Sequence, residues 1–588
     1  MSTKARFRAV PALASVLALV FAGCGGGDDK KDSGNRFADK PIGKTQAEAK
    51  SGVVPKGESA AAEGEVENYV PEGEIVADSG FRPEIDGFAY ENYGNDWDPQ
   101  NLTPASMVEL FGDIVCQSGE GEDCNLTPAA DKWMEAENAG MDGGHCEGFS
   151  ISALKLYHEV YDQEDFGAEQ TIDLDIPATP ELQETIAQDF VYQGLEPLIA
   201  ERVSGTPSEV LDALIEALNS GEEQYTLGVY KIDGTAGHAI TPFAVEDKGD
   251  GQFAILIYDN NFPGTTRAVM VDTNDDTWSY TGGTNPEDLG HKYEGTEDSQ
   301  TLELDPTTPT LEQQPCPFCG EGDVEGASKG SLLPKDKQYT EVRLGGNPRN
   351  HPHIVFSDDE GNQTGIVDGK LVQELEDVEV VKTRAVQNWE GGPEPSYRLP
   401  PGQDDYTITI DGSDMERPIT KGKVTLLVNG LVIEIEDIRM DPGQKDEMAL
   451  PAGYGITYQT NSDSEEAPNF FVGLEEAKKS YLFSGSAVNI KKGSILSVVV
   501  EQEQKVMYID SDGTESADGG KPIFLTSLAQ IDEDGEMSQW IKTVGLNSAK
   551  SEKLSFEYGE SPVPGEKLPF LIQKANGDVK RVVYAKPE

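Results

Sequence analysis

Basic residues are scarce in this chain. Its 588 residues hold 46 Lys and Arg against 107 Asp and Glu, a formal net charge of −61. A field of that sign repels phosphate backbones and anionic lipid headgroups, which excludes nucleic acid as a partner. Long apolar runs are missing too. After the first two dozen residues no stretch approaches the ~20 residues that span a bilayer. No internal repeat is visible. None of the acidic loops Asp272–Asp276, Asp510–Gly513 and Asp532–Gly535 completes the twelve-residue calcium-binding pattern, so they read as solvated turns. Cysteine is rare, at six residues. Hydrophobic residues at 37% are nonetheless enough for folded cores, and the length suggests three or four domains.

What is present begins at the N-terminus. Lys4, Arg6 and Arg8 precede an apolar run from Ala9 to Ala22 that is too short to span a membrane, followed by small residues. This is the order of a secretory signal. The stretch Phe21-Ala22-Gly23-Cys24 resembles the lipobox of bacterial lipoproteins. That resemblance implies cleavage after residue 23 and a lipid on Cys24, which would hold the protein to a membrane outside the cytoplasm. The expected location is the outer membrane or the cell surface. Residues 24–80, rich in Gly, Ala and acidic groups, read as a flexible tether.

With Cys24 assigned to lipid, five cysteines remain. Cys116 and Cys124 flank a short polar loop, and Cys316-Pro-Phe-Cys319 is a C-x-x-C. In an oxidising compartment both pairs are expected to be disulfides. For Cys316 and Cys319 the alternatives are half a zinc site with His351 and His353, or a redox pair. Cys146 is left alone.

The periodicity changes along the chain. Helical spacing is expected over 103–115, 146–161, 180–202 and 207–219. The helix at 146–161 turns Phe149, Ala153, Leu156 and Val160 to one buried face. Strands follow at Gln224–Lys231, His238–Glu246, Gln252–Tyr258 and Arg267–Val271, the second and third joined by a turn at Asp247–Gly251. Beyond residue 307 short alternating strands recur, among them His353–Phe356, Val424–Val428, Leu431–Ile435 and Ser494–Val500. They read as a β-sandwich module at 341–455 and a second β-rich module at 456–588, after a linker at 307–340 that carries the C-x-x-C.

The stretch Gly143-Gly-His-Cys-Glu-Gly-Phe-Ser150 places Cys146 at a helix start. There the free N–H groups and the helix dipole favour an anion, as a nucleophilic sulfur requires. His238 opens a strand directly after Gly237. Asp259 ends the next strand, at the open end of the same hairpin, within reach of the imidazole. Asn260 and Asn261 are rivals for that orienting role, and His145 is a bystander or a pKa modifier beside the cysteine.

This order resembles the papain-like superfamily of cysteine peptidases, in particular its bacteriocin-processing and papain branches: a Cys on a helix start, a Gly-His opening a strand, and an acidic residue ending the next strand. The resemblance implies an α+β papain-like domain over 81–306, with helices and an antiparallel sheet, ahead of the all-β sandwich-like C-terminal region. It also implies attack by Cys146, proton transfer by His238 and orientation by Asp259, with no cofactor and no metal. The expected substrate is a peptide or protein at the cell surface, and a transglutaminase-like activity is a variant using the same residue types. Papain's oxyanion glutamine lies shortly before its cysteine, but the residue six before Cys146 is Gly140. Asn138, Gln117 and Asn92 are the candidates to replace it. The rival expectation is a non-catalytic surface adhesin with a degenerate domain.

Overall fold

The computed structural model describes residues 68–281, 292–320, 330–347, 350–385, 393–403, 405–451, 454–463, 466–476, 479–488, 490, 492–512, 523–546, 552–558, 563–574 and 576–587. The signal, the lipobox with Cys24 and most of the expected tether lie outside them. Order begins earlier than Phe81, because Glu74–Asp78 (β1) is already a strand.

The longer helices lie in the N-terminal half of the described residues: Pro104–Phe111 (α1), Pro128–Gly140 (α2), Cys146–Tyr157 (α3), Pro180–Val191 (α4) and Pro207–Ser220 (α5). Proline opens α1, α2, α4 and α5, where its missing N–H costs nothing. Thr206 and Glu209 close a capping box on α5, which ends on left-handed Gly221. The helix expected at 146–161 stops at Tyr157, and all twelve of its residues are buried, not one face.

The first sheet is nine-stranded and antiparallel. Its main strands are Tyr225–Tyr230 (β2), Gly237–Gly249 (β3), Gln252–Tyr258 (β4), Thr266–Asp272 (β5), Thr277–Thr281 (β6), Lys292–Thr296 (β7) and Leu302–Pro306 (β8). They lie in the order β7-β6-β5-β4-β3-β2-β8, with β1 added against β3. The first ten residues of β3 are buried, as expected of a central strand covered on both faces. Its near end pairs with β2 and its far end with β4. The β3–β4 turn carries left-handed Asp250 and Gly251, the hairpin geometry that the Asp-Gly pair favours.

From Thr340 onward the strands form one 20-stranded antiparallel sheet that nearly closes into a barrel. Among the described residues β structure dominates, 42% strand against 21% helix. This overturns the expected papain-like α+β domain followed by separate sandwiches. Two contacts explain why. Leu431–Met440 pairs with Asn469–Glu476, and Tyr454–Gln459 with Ile495–Glu501, so the ladders run straight across residue 455. One apolar core, from Val342 to Ala585, fills the interior. At its C-terminal end Val579–Pro587 pairs with both Met537–Gly545 and Leu568–Gln573, joining the two ladder systems. The helices are not separate from it either. Trp133 of α2 and Phe190 of α4 share a core with Ala385, Leu427 and Val432.

Among the described residues no helix is long and apolar enough to cross a membrane.

Candidate functional site

Cys146 is the first residue of α3. His238 is the second residue of β3, and Asp259 directly follows β4. Because Thr241 pairs with Tyr258, the two lie at the same open end of the hairpin. The structure brings all three together, and all three are fully buried.

His238 Nε2 lies 2.8 Å from Asp259 Oδ1. This leaves Nδ1, which has no hydrogen-bond partner of its own among the described residues. It is the nitrogen left for the Cys146 sulfur, whose own hydrogen bond goes to the Arg384 carbonyl at 3.3 Å. Asp259 is itself held. It accepts from the Asn261 N–H at 2.9 Å and from the Tyr280 hydroxyl. Burial alone would drive His238 toward its neutral form. The Asp259 carboxylate, then Cys146, outweigh that and raise its pKa to about 10. Asp259 is depressed below the usual carboxylate range. Burial opposes this, and His238, Tyr280 and the Asn261 amide overcome it.

These shifts fix a pH dependence of stability. A histidine raised from 6.5 to about 10 stabilises the fold fully below pH 6.5, and the contribution disappears as pH rises through 10. The depressed carboxylate stabilises above its ordinary 3.8, and that contribution is lost as pH falls through its lower folded value. Thermal unfolding of the wild type is expected to weaken by on the order of a few kcal/mol between neutral pH and pH 10. His238→Gln should flatten that slope, and parallel slopes in the two proteins would rule the ion pair out.

The asparagines have separate roles. Asn260 does not orient His238; its Nδ2 donates to the carbonyls of Cys146 (3.1 Å) and Ala239 (2.9 Å), tying the start of α3 to β3. Asn261 Nδ2 lies 3.4 Å from His238 Nε2. Of the three oxyanion candidates, Asn138 is used on the backbone of Leu102, and Gln117 accepts from Ser480. Asn92 differs. Its Oδ1 accepts the His145 N–H at 2.7 Å, and its Nδ2 is buried with no partner. An unpaired donor is thus held one residue from Cys146. His145 is structural: Nδ1 donates to the Tyr93 carbonyl at 2.6 Å, and burial lowers its pKa to about 4.

Cys116–Cys124 and Cys316–Cys319 are disulfides, and Cys146 is free. The C-x-x-C sulfurs are therefore committed to each other, not to a metal shared with His351 and His353. Those histidines instead gather with Glu394, their ligand atoms within 4.8 Å of one another. His353 Nδ1 lies 2.7 Å from Glu394 Oε2.

The sequence reading missed Arg384. Its carbonyl accepts from Cys146 Sγ at 3.3 Å, across 238 residues of chain. No periodicity or motif marks that segment. It also missed Glu147, a buried helix acid whose Oε2 takes the Arg384 guanidinium at 3.0 Å.

The chain matches no protein-family model, no curated protein and no solved structure.

Proposed function

We propose that the protein is a thiol-dependent peptidase or amidase acting by acyl transfer, carried outside the cytoplasm on a lipid at Cys24. The observation that carries this reading is the alignment of Cys146 at a helix start with an imidazole held 2.8 Å from a buried carboxylate. Cys146 sulfur bonds to the substrate carbonyl carbon, and the carbon–nitrogen bond breaks as the His238 proton passes to the departing amine. Water then adds to the thioester, giving its proton to His238, and the thiolate leaves. Asp259 holds the ring and offsets its charge throughout. The Asn92 amide and the N–H groups at the start of α3 are the donors for the intermediate's oxyanion.

The test is the rate at which iodoacetamide alkylates Cys146 at mildly acidic pH. His238→Ala is expected to slow it by about tenfold or more, since it removes the cation that favours the thiolate. Equal rates in wild type and variant would end the catalytic reading. They would leave the rival ahead, a non-catalytic surface binding protein, which draws support from the complete burial of the three residues.

Asn92→Ala separates the oxyanion role from simple packing. Turnover of a p-nitrophenyl ester should fall about 10²-fold. Alkylation of Cys146 forms no oxyanion and should change little. Parallel losses in both would assign Asn92 to packing alone.

The anchor is tested separately. Cys24→Ala is expected to move the protein from the detergent phase to the aqueous phase of a phase-separating detergent extract. Unchanged partition would remove the lipid assignment.

A further inference from the structure

The segment Lys382–Ala385 lies across the Cys146 site. Arg384 forms a parallel bridge with Gly237, the residue before His238. Its N–H donates to Gln193 Oε1 at 2.7 Å, and its carbonyl accepts from Cys146 Sγ at 3.3 Å and from Gln193 Nε2 at 3.4 Å. On the far side the Ala385 carbonyl fits against Gly143. A Cβ at 143 would sit 2.1 Å from that oxygen, so any other residue there would push the segment away. A peptide backbone is thus paired to the strand beside the imidazole, with one carbonyl presented to the sulfur.

The Arg384 side chain enters a closed pocket. Nε donates to the Tyr230 hydroxyl at 2.9 Å, one terminal nitrogen to Glu147 Oε2 at 3.0 Å, and the other to Asp305. Gly228 forms the wall, where a Cβ would come within 2.8 Å of the guanidinium carbon. Two residues earlier Lys382 lies over the Tyr230 ring and reaches Glu303 at 3.2 Å. Arg202 completes the group on Asp305.

Charge decides what this pocket is for. With the segment in place, Glu147, Glu303 and Asp305 face Arg384, Lys382 and Arg202. Without it, three buried carboxylates face one guanidinium. Leaving those carboxylates unpaired costs free energy, as buried charge or as protonation of Glu147, whose pKa burial already raises, so the pocket favours a cationic occupant. Whatever replaces the segment must bring cations in the same places.

We infer that this pocket selects substrates by an arginine whose carbonyl lies at Cys146 and a second cation two residues before it, and that the chain's own Lys382-Thr383-Arg384 occupies the site as an internal substrate mimic. The inference rests on the thiol reading above and adds its substrate class, a basic peptide, and its regulation, displacement of a strap. Glu147 and Asp305, which receive the guanidinium, and Glu303, which receives the second cation, are the specificity residues here, while Gln193 positions the backbone.

Two measurements on the full chain test it. Arg384→Ala should alkylate at Cys146 with iodoacetamide about tenfold faster than wild type or more, since it frees the cover over the sulfur. The same variant should hydrolyse a Lys-Thr-Arg aminomethylcoumarin amide about 100-fold faster than the Lys-Thr-Leu amide. Retained far-ultraviolet dichroism and a cooperative melt check the fold. If R384A does not fold, R384K takes its place; it keeps the charge but loses the forked contacts, and should alkylate faster than wild type. No acceleration in the folded variant overturns the strap. Acceleration without arginine preference overturns the pocket. In both of those cases a rate that still depends on His238 leaves the thiol reading standing. Loss of that dependence would instead overturn the thiol reading itself, and the inference with it.

Discussion

Cys146→Ala and His238→Ala are each expected to lower ester or peptide-amide turnover by three or more orders of magnitude, and the double variant no further than the worse single. The reason is that sulfur and imidazole act as one unit. Without His238 the sulfur loses the proton carrier and the cation beside it; without Cys146 the imidazole has no nucleophile to serve. Asp259→Asn should cost less than either. An amide at 259 would still hold the ring through one contact but would not offset its charge. The measurement is the double-mutant cycle on turnover under one set of conditions. Losses that multiply across Cys146 and His238 would mean that the two act separately, and a sequential proton transfer between them would have to be abandoned.

The largest expected loss of stability lies elsewhere, at Asp189→Ala. Lys155, on the same helix as Cys146, reaches Asp189 of α4 at 2.6 Å, and both side chains are almost wholly buried. Asp189 also accepts from the hydroxyls of Ser152 (2.6 Å) and Tyr161 (3.1 Å). Removing the carboxylate leaves an ammonium and two hydroxyls facing a cavity, a cost of about 3–5 kcal/mol. Burial lowers the Lys155 pKa, and Asp189 opposes that. Without Asp189 the folded state binds its proton less readily than the unfolded chain does. The destabilisation should therefore shrink as pH rises and the lysine becomes neutral. Lys155→Met in the Asp189→Ala background should recover part of the loss at pH 7. Denaturant unfolding of the four proteins measures the coupling; additive effects would show that the pair does not stabilise the α3–α4 contact.

Much of the local structure was legible from pattern alone. Thr103-Pro104 and Thr206-Pro207 mark helix starts, and the Asp-Gly turn after β3 marks a hairpin. Those signals are short-range, set by backbone geometry and capping within a few residues. For the same reason the hairpin brought His238 and Asp259 to one end, since register follows from the turn. The reading failed where partners are distant. It divided the C-terminal half at residue 455, because alternating strands show which face is buried but not against what. It took α3 to bury a single face, because Glu147, Ser150, Ser152 and Lys155 are polar; each is inside because it meets a specific partner.

Composition and spacing by themselves determined the charge of the surface, the pairing of four cysteines and the isolation of Cys146, because each depends only on counts and near neighbours. Tertiary structure alone decided that the chain continues as one near-closed β sheet. It alone left Asn92, rather than Asn138 or Gln117, with a buried unpaired donor while bonded to the backbone of the residue before Cys146. It also brought Arg384 over the site. Those outcomes turn on which buried charges and backbone groups meet across hundreds of residues, and a buried ion is tolerated only where the whole fold supplies its partner.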